Sequence, residues 1–145
     1  MTFDRSYADH NRASTLRMRA LAASLGDDAL GHPVGEHWTV AIALAHLAFW
    51  DRRVLGLLDL VERGGVSDLP VIDVSVNDLS LPFWAALPPR EAARIAIGAS
   101  EALDQRLEAL PPHLLEVVYA GNPRWVLRGL HRNAHLDEID AALKA

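Results

Sequence analysis

The sequence predicts an all-α protein, a four-helix bundle with long connections, and three observations carry that expectation. Apolar residues recur at three- and four-residue spacings in separate segments, each bounded by glycine, proline or a capping residue. The one stretch with strand-like alternation, Val71 to Val76, has no partner to pair with. The chain has 145 residues, half of them apolar, which suffices for a single core, so 1–145 reads as one domain.

The first helix is expected from about Phe3 to Leu25, with Leu16, Ala20, Leu21 and Leu25 spaced for one face, and it stops at Gly26-Asp27-Asp28. A loop holding Gly31, Pro33 and Gly35 follows. The second helix opens on Thr39, a good N-cap residue, and runs to about Glu62 before Gly64-Gly65. Ile42, His46, Trp50, Leu57 and Val61 lie along one side of it. A long connection, read as extended over Val71–Val76, precedes a short helix from Asn77 to Leu87. Pro88-Pro89 starts the third helix, which ends near Leu110 before Pro111-Pro112. Asn122 and Pro123 open the fourth, which continues to about Leu143.

Composition narrows the function. The net charge is −5, and the 13 arginines and the single lysine, Lys144, are scattered among acids, which argues against nucleic acid as a partner. No cysteine is present, excluding disulfides, cysteine-ligated zinc and a thiol nucleophile of the chain's own, and fitting a cytoplasmic protein. The N-terminus lacks the plan of a secretory signal. The longest apolar stretch, Trp38 to Trp50, is too short for a membrane span and runs into Asp51-Arg52-Arg53.

Three of the seven histidines stand out. His131 and His135 are four apart, so one helix presents both imidazoles on successive turns, the geometry by which a helix gives two ligands to one metal. They fall on the stripe Leu127-His131-His135-Ile139-Leu143, and His46 falls on the inward stripe of the second helix. At ~1.5 Å per residue, His46 lies roughly 9 Å along its helix, and His131 and His135 roughly 11 and 17 Å along theirs. If the chain reverses at each connection, helices two and four run parallel and the three rings meet at similar depth. A lone buried histidine is ordinarily a core residue bonded to a neighbour. Three at one depth, in a core with few polar residues, would all need partners, and a shared metal resolves that.

Gly35-Glu36-His37-Trp38-Thr39-Val40, Ala45-His46-Leu47-Ala48, Trp50-Asp51 and the His131/His135 pair resemble the DinB-like (DNA-damage-inducible) superfamily, also called YfiT-like metal-dependent hydrolases. The resemblance runs along the whole chain. It implies a four-helix bundle, a divalent metal, zinc or nickel, on His46, His131 and His135, and a homodimer. Ile42 stands where relatives often carry a glutamate completing a capping box, which weakens the cap and leaves the metal site untouched.

Three imidazoles leave a coordination position open, which is the catalytic pattern. By resemblance, the leading expectation is a transferase that activates an external low-molecular-weight thiol for attack on a small-molecule electrophile. The alternatives are hydrolysis of a small amide or ester, with Glu138 as base or orienting partner, and a non-catalytic stress-response protein that binds a small molecule. Trp50, Trp84 and Trp125 are expected as core anchors, Trp50 doubling as a pocket wall, and Arg52 and Arg53 read as a solvent-facing pair in preference to a grip on a carboxylated substrate. Asp9 and His10 read as a solvated pair, and His32, His37 and His113 carry no assignment.

Overall fold

A computed structural model describes residues 4–64 and 73–145. Four long helices build the bundle: α1 (Ser6–Ser24), α3 (Val40–Gly64), α5 (Pro89–Ala109) and α7 (Arg128–Lys144). Between them lie α2 (Asp27–Leu30), a hairpin of β1 (Pro33–Val34) and β2 (Trp38–Thr39), α4 (Ser75–Ala86), α6 (Pro112–Gly121) and a 3₁₀ turn over Pro123–Trp125. The all-α bundle is therefore as the periodicity indicates, and its long connections hold short elements of their own.

Side-chain contacts give the helix directions. Asn11 reaches the Val126 carbonyl and the Gly129 amide, whereas Arg17 reaches Asn133, Asp137 and Asp140, so α1 and α7 are parallel. Ala93, Ala96 and Ala99 pack with Val40 to Ala48, while Arg106 reaches Asp59 and Glu62, so α3 and α5 are parallel. Asp51 meets Arg128 and Arg132, but His46 meets His131 and His135, so α3 and α7 run antiparallel. The order is up, down, down, up. This corrects the expectation of reversal at every connection. The segment between α3 and α5 returns the chain to the end from which α3 set out, and it carries α4 across α3, where Trp84 packs with Ala41, Ile42 and Ala45.

The local starts follow from the sequence. Thr39 Oγ1 accepts the Ile42 amide at 3.2 Å, capping α3. Pro89 and Pro112 open α5 and α6, where a missing amide proton costs nothing. The hairpin turns on Gly35, at φ 70°, a conformation that suits a residue without Cβ. Asn122 caps the 3₁₀ turn instead of a long helix, and α7 starts five residues later than Pro123 suggests. Ser75 and Val76 belong to α4 and are not extended; Val71 and Ile72 lie outside the described residues.

Buried residues correct two predicted faces. In α1 the buried set is Tyr7, Asn11, Ser14, Thr15, Met18 and Ala22, and Leu16 is 64% exposed. In α7 the core stripe is Arg128, Arg132, Leu136 and Ile139, while His131 and His135 are half-buried at its edge. Polar residues thus occupy core positions. They form a layer between one apolar cluster around Met18, Leu44, Leu47 and Leu136 and another around Leu57, Leu58, Leu103 and Leu107.

Candidate metal centre

The polar layer supports the histidines from below. Arg132, wholly buried, donates from Nε to Asp51 Oδ2 at 3.0 Å and from Nη1 to Asp104 Oδ1 at 2.8 Å. Its Nη1 also reaches the Asn11 carbonyl, Ser14 Oγ and Thr15 Oγ1. These partners explain the polar inner face of α1, since a buried guanidinium is tolerable only when paired and hydrogen-bonded. Asp51, 1% exposed, accepts on its other oxygen from Arg128 Nε at 3.0 Å. Arg128 Nη2 then faces His131 Nδ1 at 3.3 Å. Asp51 was expected to mark the polar end of an apolar stretch; it is instead the buried link between two arginines and the histidine cluster.

Above this layer α3 supplies His46 and α7 supplies His131 and His135. The sequence places all three, and the fold brings them together: one nitrogen from each ring can be chosen so that all lie within 4.8 Å of one another. They meet although α3 and α7 are antiparallel, because α7 starts late and His131 and His135 sit in its first half. His46 Nε2 and His131 Nε2 are 3.1 Å apart. A guanidinium only donates, so His131 Nδ1 is the acceptor from Arg128; the neutral ring then carries its proton on Nε2 and donates it to His46. His46 Nδ1 and His135 Nδ1 are buried and without a hydrogen bond. Glu138 Oε2 stands 3.5 Å from His135 Nδ1, within ion-pair reach but not hydrogen-bonded to it.

Burial, the dominant cause, lowers the His46 pKa to about 3 and the His131 pKa to about 2, with neighbouring charges adding to the effect. It pushes His135 down as well, against Glu138, which acts the other way. All three rings are therefore neutral at pH 7 and their lone pairs are available to a metal. A tetrahedral zinc site with nitrogens at 2.0–2.1 Å separates them by about 3.3 Å. His46 Nε2 and His131 Nε2, at 3.1 Å, stand close to that spacing, and all three donors lie within 4.8 Å of one another. The neutral donor set and the close approach of His46 Nε2 to His131 Nε2 fit a divalent ion.

Aromatic rings wall the cluster. Trp38 stacks on His135 with centroids 5.8 Å apart and lies 4.8 Å from His46, while Trp84 meets His46 edge-on at 5.4 Å. Trp84 is a core anchor as expected; Trp50 and Trp125 are half-buried and border a cavity. Trp50 Nε1 donates to Asn77 at the start of α4. Sequence reasoning missed Arg128, Arg132 and the wall role of Trp38. The signal lay in arginines spaced i, i+4 on α7, counted from sequence only among the scattered arginines.

Two cavities reach the rings from different sides, one bordered by His131 and the other by His135. Among the described residues, no helix is long and apolar enough to cross a membrane. His10 and His113 are exposed, and His32 Nε2 lies 3.1 Å from the Ala142 carbonyl, so none of the three joins the cluster. A sequence model of the family described as mycothiol maleylpyruvate isomerase N-terminal domain matches residues 11–141. Comparison with curated proteins and with solved structures finds no match.

Proposed function

The chain belongs to the mycothiol maleylpyruvate isomerase N-terminal domain family, within the DinB/YfiT-like metal-dependent superfamily, and on that premise we propose that it is a metal-dependent enzyme that activates an external low-molecular-weight thiol. The observation that carries this reading is the meeting of three neutral imidazoles beside two cavities. His46, His131 and His135 would hold the ion, zinc or nickel. Bound there, it lowers the pKa of a coordinated thiol and so supplies a thiolate at neutral pH. The chain has no cysteine, so that thiol comes from solution, as the mycothiol in the family's name suggests.

The chain's own residues prepare the site. Arg128 and Asp51 orient His131; Trp38 fixes the plane of His135. Were His131 to hold the ion through Nε2, its ring proton would sit on Nδ1 facing a donor, and Arg128 Nη2 would have to turn aside. Glu138 is aimed at the outer nitrogen of His135, which suits orienting that ring better than serving as a base. This favours thiol transfer over hydrolysis of an amide or ester. The self-sufficient buried ion network weighs against metal as the glue of a non-catalytic binding protein. We read the chain as one cytoplasmic domain acting as a homodimer on a small-molecule substrate.

Elemental analysis of wild type beside His46→Ala and His131→Ala tests the reading. About one divalent ion per chain is expected in wild type, absent from both variants while the helical circular dichroism survives. Metal-free wild type, purified without chelator, would make the histidines core residues and return the binding-protein reading to the front.

A further inference from the structure

Helix α4 reaches the histidine cluster at two points on the face it turns to α3. Trp84, 6% exposed, meets His46 edge-on, and Asn77, two helical turns earlier, lies beside the same ring. Asn77 also binds Trp50, whose indole stands one turn beyond His46 with ring centroids 6.3 Å apart. An indole N–H only donates, so the Asn77 atom 2.9 Å from Trp50 Nε1 is the side-chain oxygen. That oxygen has two lone pairs, and Trp50 occupies one.

Neighbouring groups decide where the proton of His46 sits. Arg128 donates to His131 Nδ1, so His131 carries its proton on Nε2 and gives it to His46 Nε2 at 3.1 Å. The neutral His46 ring then holds its own proton on Nδ1. The same tautomer leaves Nε2 open to a metal, so Nδ1–H is a donor whether or not an ion is held. It is buried and closes no hydrogen bond, which is costly for a polar group. Of the polar groups that act on His46, Arg128 only donates and His135 is itself one of the three proposed ligands. The amide oxygen of Asn77 remains. Histidine ligands ordinarily give their second N–H to an acceptor of this kind, which fixes tautomer and ring orientation.

We infer that Asn77 is a positioning residue of the metal centre: its side-chain oxygen, held by the Trp50 indole, takes the Nδ1 proton of His46 and so keeps Nε2 turned toward His131 and His135. A helix that supplies no ligand thereby selects which nitrogen of His46 the cluster receives. The effect on metal binding rests on the function proposed above; the choice of tautomer does not.

Long-range proton–nitrogen correlation spectra of the imidazoles read the tautomer, and competitive chelator titration reads zinc affinity, both on the whole chain at neutral pH. Wild type is expected to hold His46 as the Nδ1–H tautomer, zinc-loaded and chelator-treated alike. Asn77→Leu, similar in size but with no acceptor, should mix the tautomers and weaken zinc binding about ten- to a hundredfold. Asn77→Asp restores an acceptor; it should keep the Nδ1 proton and bind zinc at least as tightly as wild type. Trp50→Phe leaves the amide beside His46 and should keep the tautomer, with a smaller loss of affinity. A His46 proton on Nε2 in wild type, or a tautomer unmoved in Asn77→Leu, would overturn the assignment. So would an affinity loss in Asn77→Leu that Trp50→Phe reproduces in full, because Asn77 would then only tie α4 to α3. Should Asn77→Leu fail to fold by circular dichroism, Asn77→Asp decides: zinc binding weaker than wild type, or loss of the Nδ1 proton, rejects the inference. Wild type that takes up no zinc, with a tautomer that still depends on Asn77, sinks the metal reading alone; zinc uptake with a tautomer indifferent to Asn77 sinks this one alone.

Discussion

Arg132 is the least exposed charged residue described, and its support comes from α1, α3 and α5 at once. Removing one partner of such a group leaves a buried charge uncompensated. Asp51→Ala leaves buried Arg128 without a carboxylate and Arg132 with Asp104 alone, and is expected to destabilise the fold by about 3–5 kcal/mol, read as a drop in the urea midpoint. Arg128→Gln acts differently. A glutamine can accept from His131 Nδ1–H where the guanidinium cannot, so competitive chelator titration should show tighter metal binding, by several-fold to about tenfold, together with a lower Tm. Protons bear on the same residues. Below about pH 6.5 the unfolded chain protonates its histidines, but folded His46 resists until about 3. Metal-free stability is thus full above pH 6.5 and falls as the pH drops toward 3. Urea midpoints taken at pH 7.5, 5.5 and 4.5 should decline in that order, and His46→Asn should flatten the decline.

At the scale of helices, the close pair is α1 and α7, whose contact depends on Gly129. A Cβ there would stand 3.1 Å from the His10 carbonyl oxygen, a backbone atom that cannot swing away. Gly129→Ala, normally helix-favouring, is therefore expected to cost about 1–3 kcal/mol in denaturant unfolding. The corrected face of α1 gives a paired contrast. Leu16→Gln, on the exposed side, should change stability by no more than about 0.5 kcal/mol, whereas Met18→Ala, fully buried, should lose about 2–5. The signals legible in the sequence were local ones: the Thr39 cap, the prolines at helix starts, and the i, i+4 histidine pair. The stripes of α1 and α7 were misread because hydrophobicity alone was taken to mark the interior. Asn11, Ser14 and Thr15 are inside because Arg132 is, and no single-helix pattern reveals a partner on another helix. The helix α6 and the hairpin were missed because ten residues and two-residue strands give too little periodicity to register.

For the molecule as a whole, the three histidines could be grouped from sequence but their meeting could not be derived. The parallel arrangement that seemed to explain it is absent, and a late start to α7 does the work instead. The apolar clusters at the two ends are joined by an ion network that owes nothing to a metal. Chelator-treated protein should accordingly keep its helical circular dichroism and a cooperative melt. The up, down, down, up order also has a consequence for rewiring the chain. Since α1 and α7 run side by side in the same direction, Ser6 and Lys144 lie at opposite ends of the bundle, on the order of 30 Å apart. A circular permutant that joins Lys144 directly to Ser6 cannot cover that distance. With roughly ten added residues it should refold with the helical circular dichroism of the original chain, whereas the direct fusion can close only by tearing one of the two helices from the bundle.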